Sequence, residues 1–321
     1  MSSLPIIDLQ PLWDSPEGIN HVAEQLTLNF KDLGFAYIKN HQISPSLLED
    51  MFQAAKDFHA LPLEAKNKIL QNKTFRGYLP ANTSQVKVST QGVAACPNSM
   101  EAFIMMFDVD ETHRDYTTGN YLAGPNQWPV EMPSLKKNMC DYRDAMIHLG
   151  SKMVEVFAVA FGLEATALNQ FFVDPTFFLR LHRYAPQPDN APKGQFGIAP
   201  HTDIGFMTFV AQDDVGGLEV KHPTEGWITV PNIPGTFILN AGDMLKRWTN
   251  GGFASVPHRV LNNSDQVRYS IPFFFDPNMH AMIDVLESPL SDSPRKFEPI
   301  MYGDYVMNRV TPNYSHLQTK P

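Results

Sequence analysis

The stretch "APHTDIGFMTF", residues 199–209, places a His, one small residue and an Asp ahead of an apolar run. Along an extended strand alternate side chains share a face. His201 and Asp203 are therefore expected on one side and Thr202 on the other. Two such groups suit adjacent corners of a metal's coordination sphere. An HxD triplet alone is more often just the polar face of a strand, so the rest of the chain must supply a third ligand and a task.

A second short β-rich run, "SVPHRVL" (255–261), supplies His258. Two imidazoles and one carboxylate can occupy one triangular face of an octahedral ion and leave three positions open, which is the donor set of non-haem Fe(II) oxygenases. His21, His59 and His148 lie in helical runs and read as structural. Ten residues past His258 begins "VRYSIPFFFDP" (267–277), in which Arg268 and Ser270 share a strand face. A guanidinium fork beside a hydroxyl makes a carboxylate socket, and a buried Arg needs an anion. In "FFLRLHRYAPQP" (177–188), Tyr184 falls on the same face as His182 and Arg180 and is placed to complete that socket. A small dicarboxylate held there at one end and chelating a metal at the other has the shape of 2-oxoglutarate. "FILNAGDMLKRWTNG" (237–251) adds Asn240 and Asp243 near a strand end followed by a turn, and Gly205 and Gly242 permit close backbone approach.

Around these motifs the chain changes texture. Residues 4–9 and 35–40 read as strands. Residues 19–33 (Val22, Leu26, Leu28, Phe30 and Leu33 at helical spacing, stopped by Gly34), 44–60 (Ser44 as N-cap, Pro45 at the first turn) and 133–163 read as helices, with a short one at 164–172. Residues 70–100 read as a long loop. From 177 onward short β-rich runs recur at roughly 8–12-residue spacing, with helical signal returning at 302–310. The expectation is an α+β, mainly β protein: a helix-rich N-terminal region (1–175) packed on a jelly-roll core (176–290), then a C-terminal extension with an exposed helix (291–321).

Bulk composition narrows the function class. The 321-residue chain is 43% hydrophobic, enough for a large core, and carries a net charge of −9 without a basic run, which disfavours nucleic acid or anionic membranes as partners. No apolar run approaches the roughly 18 residues a membrane span needs. Two cysteines, Cys96 and Cys140, outside any CxxC, suit a reducing cytoplasmic setting.

Taken together, these strings resemble the isopenicillin N synthase-like group of Fe(II)/2-oxoglutarate-dependent oxygenases. The likeness runs through "GFAYIKNH" (34–41), "FHALPLEAK" (58–66), "RGY" (76–78), "GPNQWP" (124–129) and the motifs of 201–277. It implies a double-stranded β-helix, Fe(II) on His201, Asp203 and His258, and 2-oxoglutarate on Arg268, Ser270 and Tyr184. It further implies O2 as co-substrate, with ascorbate as a reductant. The expected reaction is oxidation of an unactivated C–H bond, by hydroxylation, desaturation or cyclisation, with release of succinate and CO2.

The socket does not name its occupant, since the founding member of the group fills it with its own substrate's carboxylate. A 2-oxoglutarate-independent oxidase is therefore the first alternative, and a non-catalytic binding jelly roll the second. Alternation nominates Arg180, His182, Met207 and Phe274 for the substrate pocket, although many plant members carry Asn at the position of His182. The segment 74–104 is expected to form a lid, with Arg76 and Tyr78 reaching substrate. Arg180 and His182 together suggest a small substrate bearing a carboxylate or phenolate.

Overall fold

A computed structural model describes residues 3–87, 91–287 and 294–314. Twelve strands build two sheets: β1 (Ile6–Asp8), β2 (Phe35–Lys39), β3 (Gly77–Leu79), β4 (Glu101–Met106), β5 (Thr176–Tyr184), β6 (Ile198–His201), β7 (Met207–Gln212), β8 (Leu218–His222), β9 (Gly226–Thr229), β10 (Thr236–Ala241), β11 (His258–Val260) and β12 (Arg268–Asp276). The larger sheet has eight strands in the order β1-β2-β10-β7-β12-β5-β4-β3; the smaller has four, β6-β11-β8-β9. Apart from the parallel β1–β2 pair, neighbours in both sheets run antiparallel. Side chains from both sheets line one cavity, so the sheets face each other as the two halves of a jelly roll.

Eight α-helices accompany them among the described residues: α1 (Pro11–Asp14), α2 (Gly18–Phe30), α3 (Pro45–Ala60), α4 (Leu63–Asn67), α5 (Arg114–Thr117), α6 (Ser134–Ala160), α7 (Asp243–Trp248) and α8 (Tyr302–Val310). The Ser44 hydroxyl accepts from the Leu47 amide at 3.2 Å and caps α3 as expected. In α6, Leu135, Met139, Tyr142, Met146, Leu149 and Met153 recur every three or four residues and are all buried. The helices α2 and α3 pack on α6, and α3 also packs on β5 and β12. None of the described helices is long and apolar enough to cross a membrane.

Several local expectations are corrected. The second helix stops at Phe30, and Leu28 faces solvent at 73% exposure instead of joining the apolar face. The loop read at 70–100 contains β3. The segment expected as a lid ends in β4, whose six residues are all buried inside the larger sheet. The run 201–210 is not one strand: β6 ends at His201, and the chain turns before β7 begins at Met207. Past Asn240, where a turn was expected, the chain forms the short helix α7. The C-terminal helix is not exposed, because Tyr302, Val306 and Val310 are buried. The first 175 residues also contribute four strands to the larger sheet, and one hydrophobic core runs through both parts.

Candidate metal centre

His201 closes β6 and His258 opens β11, and the two stand opposite each other in register. Their ring centroids are 4.3 Å apart. Asp203 comes to them from the turn rather than from the strand face. Its Oδ1 lies 3.6 Å from Nε2 of His201 and 3.6 Å from Nε2 of His258. These three side chains offer ligand atoms all within 4.8 Å of one another, the one such His/Cys/Asp/Glu group found among the described residues. Two imidazole nitrogens and a carboxylate oxygen at this spacing fit one face of an octahedral Fe(II).

The surroundings prepare each donor. Nδ1 of His201 donates to the Ala199 carbonyl at 2.8 Å, which leaves Nε2 as the lone-pair nitrogen. Burial, reinforced by the neighbouring His258, pushes the His201 imidazole down to about 4, so it stays neutral. Burial alone would raise Asp203. His258 and His201, then the Thr208 hydroxyl and the Asn240 amide, outweigh it and keep the carboxyl below its ordinary value. Thr208 and Asn240 both donate to Oδ2, each at 2.7 Å, leaving Oδ1 toward the histidines.

The socket lies on the opposite sheet. In the β12–β5 register, Arg268 pairs with Tyr184 and Ser270 with His182. Arg268 is 1% exposed and donates from Nη1 to Ser270 Oγ at 3.3 Å and from Nη2 to Gln212 Oε1 at 3.1 Å. Its guanidinium sits 4.8 Å from the Tyr184 ring centroid, and its Nε has no partner. Among the described residues no carboxylate forms an ion pair with it. A buried cation in that state is costly and calls for an anion. The Ser270 hydroxyl donates to the Tyr184 hydroxyl at 3.5 Å, and that hydroxyl lies 2.9 Å from His182 Nδ1. The triad, Arg268, Ser270 and Tyr184 line a single inner cavity of about 50 Å³.

An outer cavity of about 140 Å³ opens beside it and shares His182, His201, Asp203 and Phe274. Arg180 lines this outer space, as do Phe75, Met100 and Phe178. Three nominated residues do not reach either cavity. Met207 points away, because the turn at 202–206 resets the alternation counted from Asp203. On β7 it is Thr208 and Val210 that line the inner cavity, and Gln212 that meets Arg268. Arg76 is fully buried and donates to the backbone carbonyls of Thr74, Leu122 and Phe107, tying three chain segments together. Tyr78 donates to Glu101 at 2.6 Å, in a buried cluster with Arg183 and Lys66. No sequence motif marks Thr208 or Gln212; their only signal is alternation counted back from the end of β7.

The C-terminal helix walls the outer cavity with Tyr302, Val306, Arg309 and Val310. Arg309 Nη2 pairs with Asp243 Oδ2 at 2.7 Å, and the Thr202 hydroxyl donates to that same oxygen at 3.0 Å. The Asp243 amide donates to the Asp203 carbonyl at 2.7 Å. The close approach here depends on Gly242 and Gly205. A Cβ on Gly242 would stand 2.1 Å from the Gly205 carbonyl oxygen, and one on Gly205 would stand 2.0 Å from Asp276 Oδ1.

Comparison with known proteins matches two family models to the chain. The model of the 2OG-Fe(II) oxygenase superfamily matches residues 175–277, and that of the N-terminal region of the non-haem dioxygenase in morphine synthesis matches residues 4–131. A homoarginine-6-hydroxylase of Glycine max is 32% identical over 98% of both chains. The 2-oxoglutarate-dependent dioxygenase tropC of Talaromyces stipitatus is 33% identical over 88% of this chain and 89% of its own. Among solved structures, a full-length Neurospora crassa protein in complex with alpha-KG and thymine superposes with a TM-score of 0.83. It is 28% identical and covers 97% of each chain.

Proposed function

This chain belongs to the 2OG-Fe(II) oxygenase superfamily, and from that premise we propose which of its residues hold iron, co-substrate and substrate. It is an Fe(II)- and 2-oxoglutarate-dependent oxygenase, an oxidoreductase with O2 as co-substrate. In our reading, His201, Asp203 and His258 are the iron ligands. Arg268 and Ser270 hold the distal carboxylate of 2-oxoglutarate, and Tyr184 supplies a hydroxyl beside them. Iron held by these three residues would supply the chemistry by which O2 oxidises an unactivated C–H bond while 2-oxoglutarate is converted to succinate and CO2.

The protein's own contribution is placement. His201 is held neutral and oriented by Ala199; Asp203 is held by Thr208 and Asn240. Phe35, Val210, Leu218, Val260 and Phe274 give the inner cavity an apolar wall beside its polar groups. His182 lines both cavities and bonds to Tyr184, so it links the co-substrate pocket to the substrate pocket. The substrate is a small molecule in the outer cavity, bearing a carboxylate or phenolate that faces Arg180 and His182. Cys96 and Cys140 are both free, which supports a reducing cytoplasmic setting.

One observation carries the assignment: a counter-ion-free buried guanidinium, Arg268, lines the same cavity as two imidazoles and a carboxylate converged to ligand spacing. The test adds Fe(II) and 2-oxoglutarate to the metal-free protein without oxygen. A weak visible metal-to-ligand charge-transfer band is expected, then succinate release in air. Fe(II) binding with no band on adding 2-oxoglutarate would hand the Arg268 socket to a substrate carboxylate and the reaction to a 2-oxoglutarate-independent oxidase.

A further inference from the structure

We infer that the outer cavity takes an apolar monocarboxylic acid of about one ring's bulk, its carboxylate gripped by the fork of Arg180. This rests on the oxygenase reading above and narrows its substrate.

Arg180 lies on β5, two residues before His182, on the strand face that carries Tyr184. Its guanidinium carbon sits 4.9 Å from the Phe274 ring centroid and 5.6 Å from that of Phe75. The rings hold the cation in place but offer it no hydrogen-bond acceptor. Its Nε is buried and without a partner. No carboxylate among the described residues forms an ion pair with it. A planar fork of N–H donors in this state matches a carboxylate, which presents two coplanar oxygens. A phenolate presents one.

The other charges of the cavity set the ligand's net charge. Arg309, the second cation in the wall, already has Asp243 at 2.7 Å, so a second ligand carboxylate finds no free cation. Among the lining acids, Asp203 is turned to the histidines, and Asp276 accepts from the Phe206 amide at 2.5 Å. Both carboxylates are already engaged within the protein, Asp276 also by the Tyr302 hydroxyl. That argues against an amino-acid zwitterion and for a simple monoanion. The rest of the wall is mainly apolar, with Phe75, Val86, Met100, Phe178, Phe274 and Val310, and its polar groups, among them Ser84, Gln85, Asn98 and Asn313, are uncharged. The volume is about 140 Å³, and a cavity of roughly 150 Å³ accepts a benzene ring. Because His201 and Asp203 line the same space as Arg180, an acid anchored at Arg180 extends its hydrocarbon body toward the triad.

The test uses the full-length protein with Fe(II) and 2-oxoglutarate, without oxygen. The probes are phenylacetate and 3-phenylpropionate, their amides, and phenylalanine, titrated by calorimetry and by their shift of the charge-transfer band. At least one acid is expected to bind, its amide and phenylalanine at least 30-fold more weakly. Arg180→Gln should weaken the acid by at least 30-fold and abolish its advantage over the amide, and Arg180→Lys should retain part of that advantage. Equal binding of acid and amide by the unmodified protein, or no binding of either acid, overturns the inference without reference to any variant. So does an Arg180→Gln protein that binds the acid as tightly. Failure of the band to form with 2-oxoglutarate alone counts instead against the oxygenase reading, which separates the two.

Discussion

Asn240 and Thr208 stand directly opposite one another on β10 and β7, and both donate to the same carboxylate oxygen of Asp203, each at 2.7 Å. One cross-strand pair thus fixes a side chain that belongs to neither strand. The oxygen they hold points away from the histidines, which leaves the other available for the metal. Such outer partners are commonly worth 10–100-fold in metal affinity. Asn240→Ala is expected to weaken Fe(II) or Co(II) binding about tenfold, measured by metal titration. An unchanged affinity would show that Thr208 alone orients Asp203.

Arg268 is a buried cation that awaits an anion, so its removal should have opposite effects on binding and folding. Arg268→Met is expected to lose about 100-fold in 2-oxoglutarate affinity, since charge-assisted bonds are worth roughly 1.5–3 kcal/mol each. The same variant without ligand should melt no lower than the unmodified protein, because replacing a buried charge with an apolar chain is often neutral or stabilising. Band titration and thermal melts check the two halves. Intact 2-oxoglutarate binding would remove Arg268 from the socket.

Arg309 touches the metal turn only through Asp243. Losing it leaves a partly buried carboxylate unpaired beside the Thr202 hydroxyl. Arg309→Met is expected to destabilise the protein by about 1 kcal/mol, after allowing for solvent screening of a pair that is partly exposed. Adding Asp243→Asn should recover part of that loss. Denaturant melts of the single and double variants decide it; additive losses would mean that the two side chains act independently.

Asp276 gives a pH signature. Burial raises its carboxyl to about 7, from an ordinary value of 3.8. Between those values the unfolded chain has released this proton while the folded chain still holds it. The contribution of Asp276 to stability therefore falls as pH rises from about 4 to about 7 and is flat above that. Asp276→Asn keeps an acceptor for the Phe206 amide but cannot ionise. In metal-free protein it should gain on the unmodified chain across this window, by about 1–3 kcal/mol at pH 8, with the gap closing near pH 4. Parallel stability profiles for the two proteins would refute it.

The regular elements are the legible part. The caps and apolar spacing of α3 and α6 are local properties, and both helices form where the periodicity puts them. The faces of β5 and β12 are equally readable. Arg180, His182 and Tyr184 do face inward together, with Arg268 opposite Tyr184, Ser270 opposite His182 and the Phe274 ring 4.9 Å from the Arg180 guanidinium. Errors gather where a period is carried across a break. Met207 is misplaced when the turn before it is counted as strand. Arg76 reads as a pocket residue because a charged side chain in a loop suggests solvent or ligand, whereas its partners are three backbone carbonyls, one local (Thr74) and two from distant segments (Phe107 and Leu122).

The sequence by itself determined which residue types stand where along each strand and helix, because side-chain direction within a regular element follows from backbone geometry alone. That was enough to nominate two histidines and an aspartate as candidate ligands and Arg268 as a candidate anion site. Only the tertiary structure decided that the β6–β11 pair and the β5–β12 pair face one another across a single cavity. It also decided that Asp203 enters from a turn held by Asn240 and Thr208, and that the C-terminal helix closes over the outer cavity. These depend on hydrogen bonds and packing between segments far apart in the chain, and no local period records them.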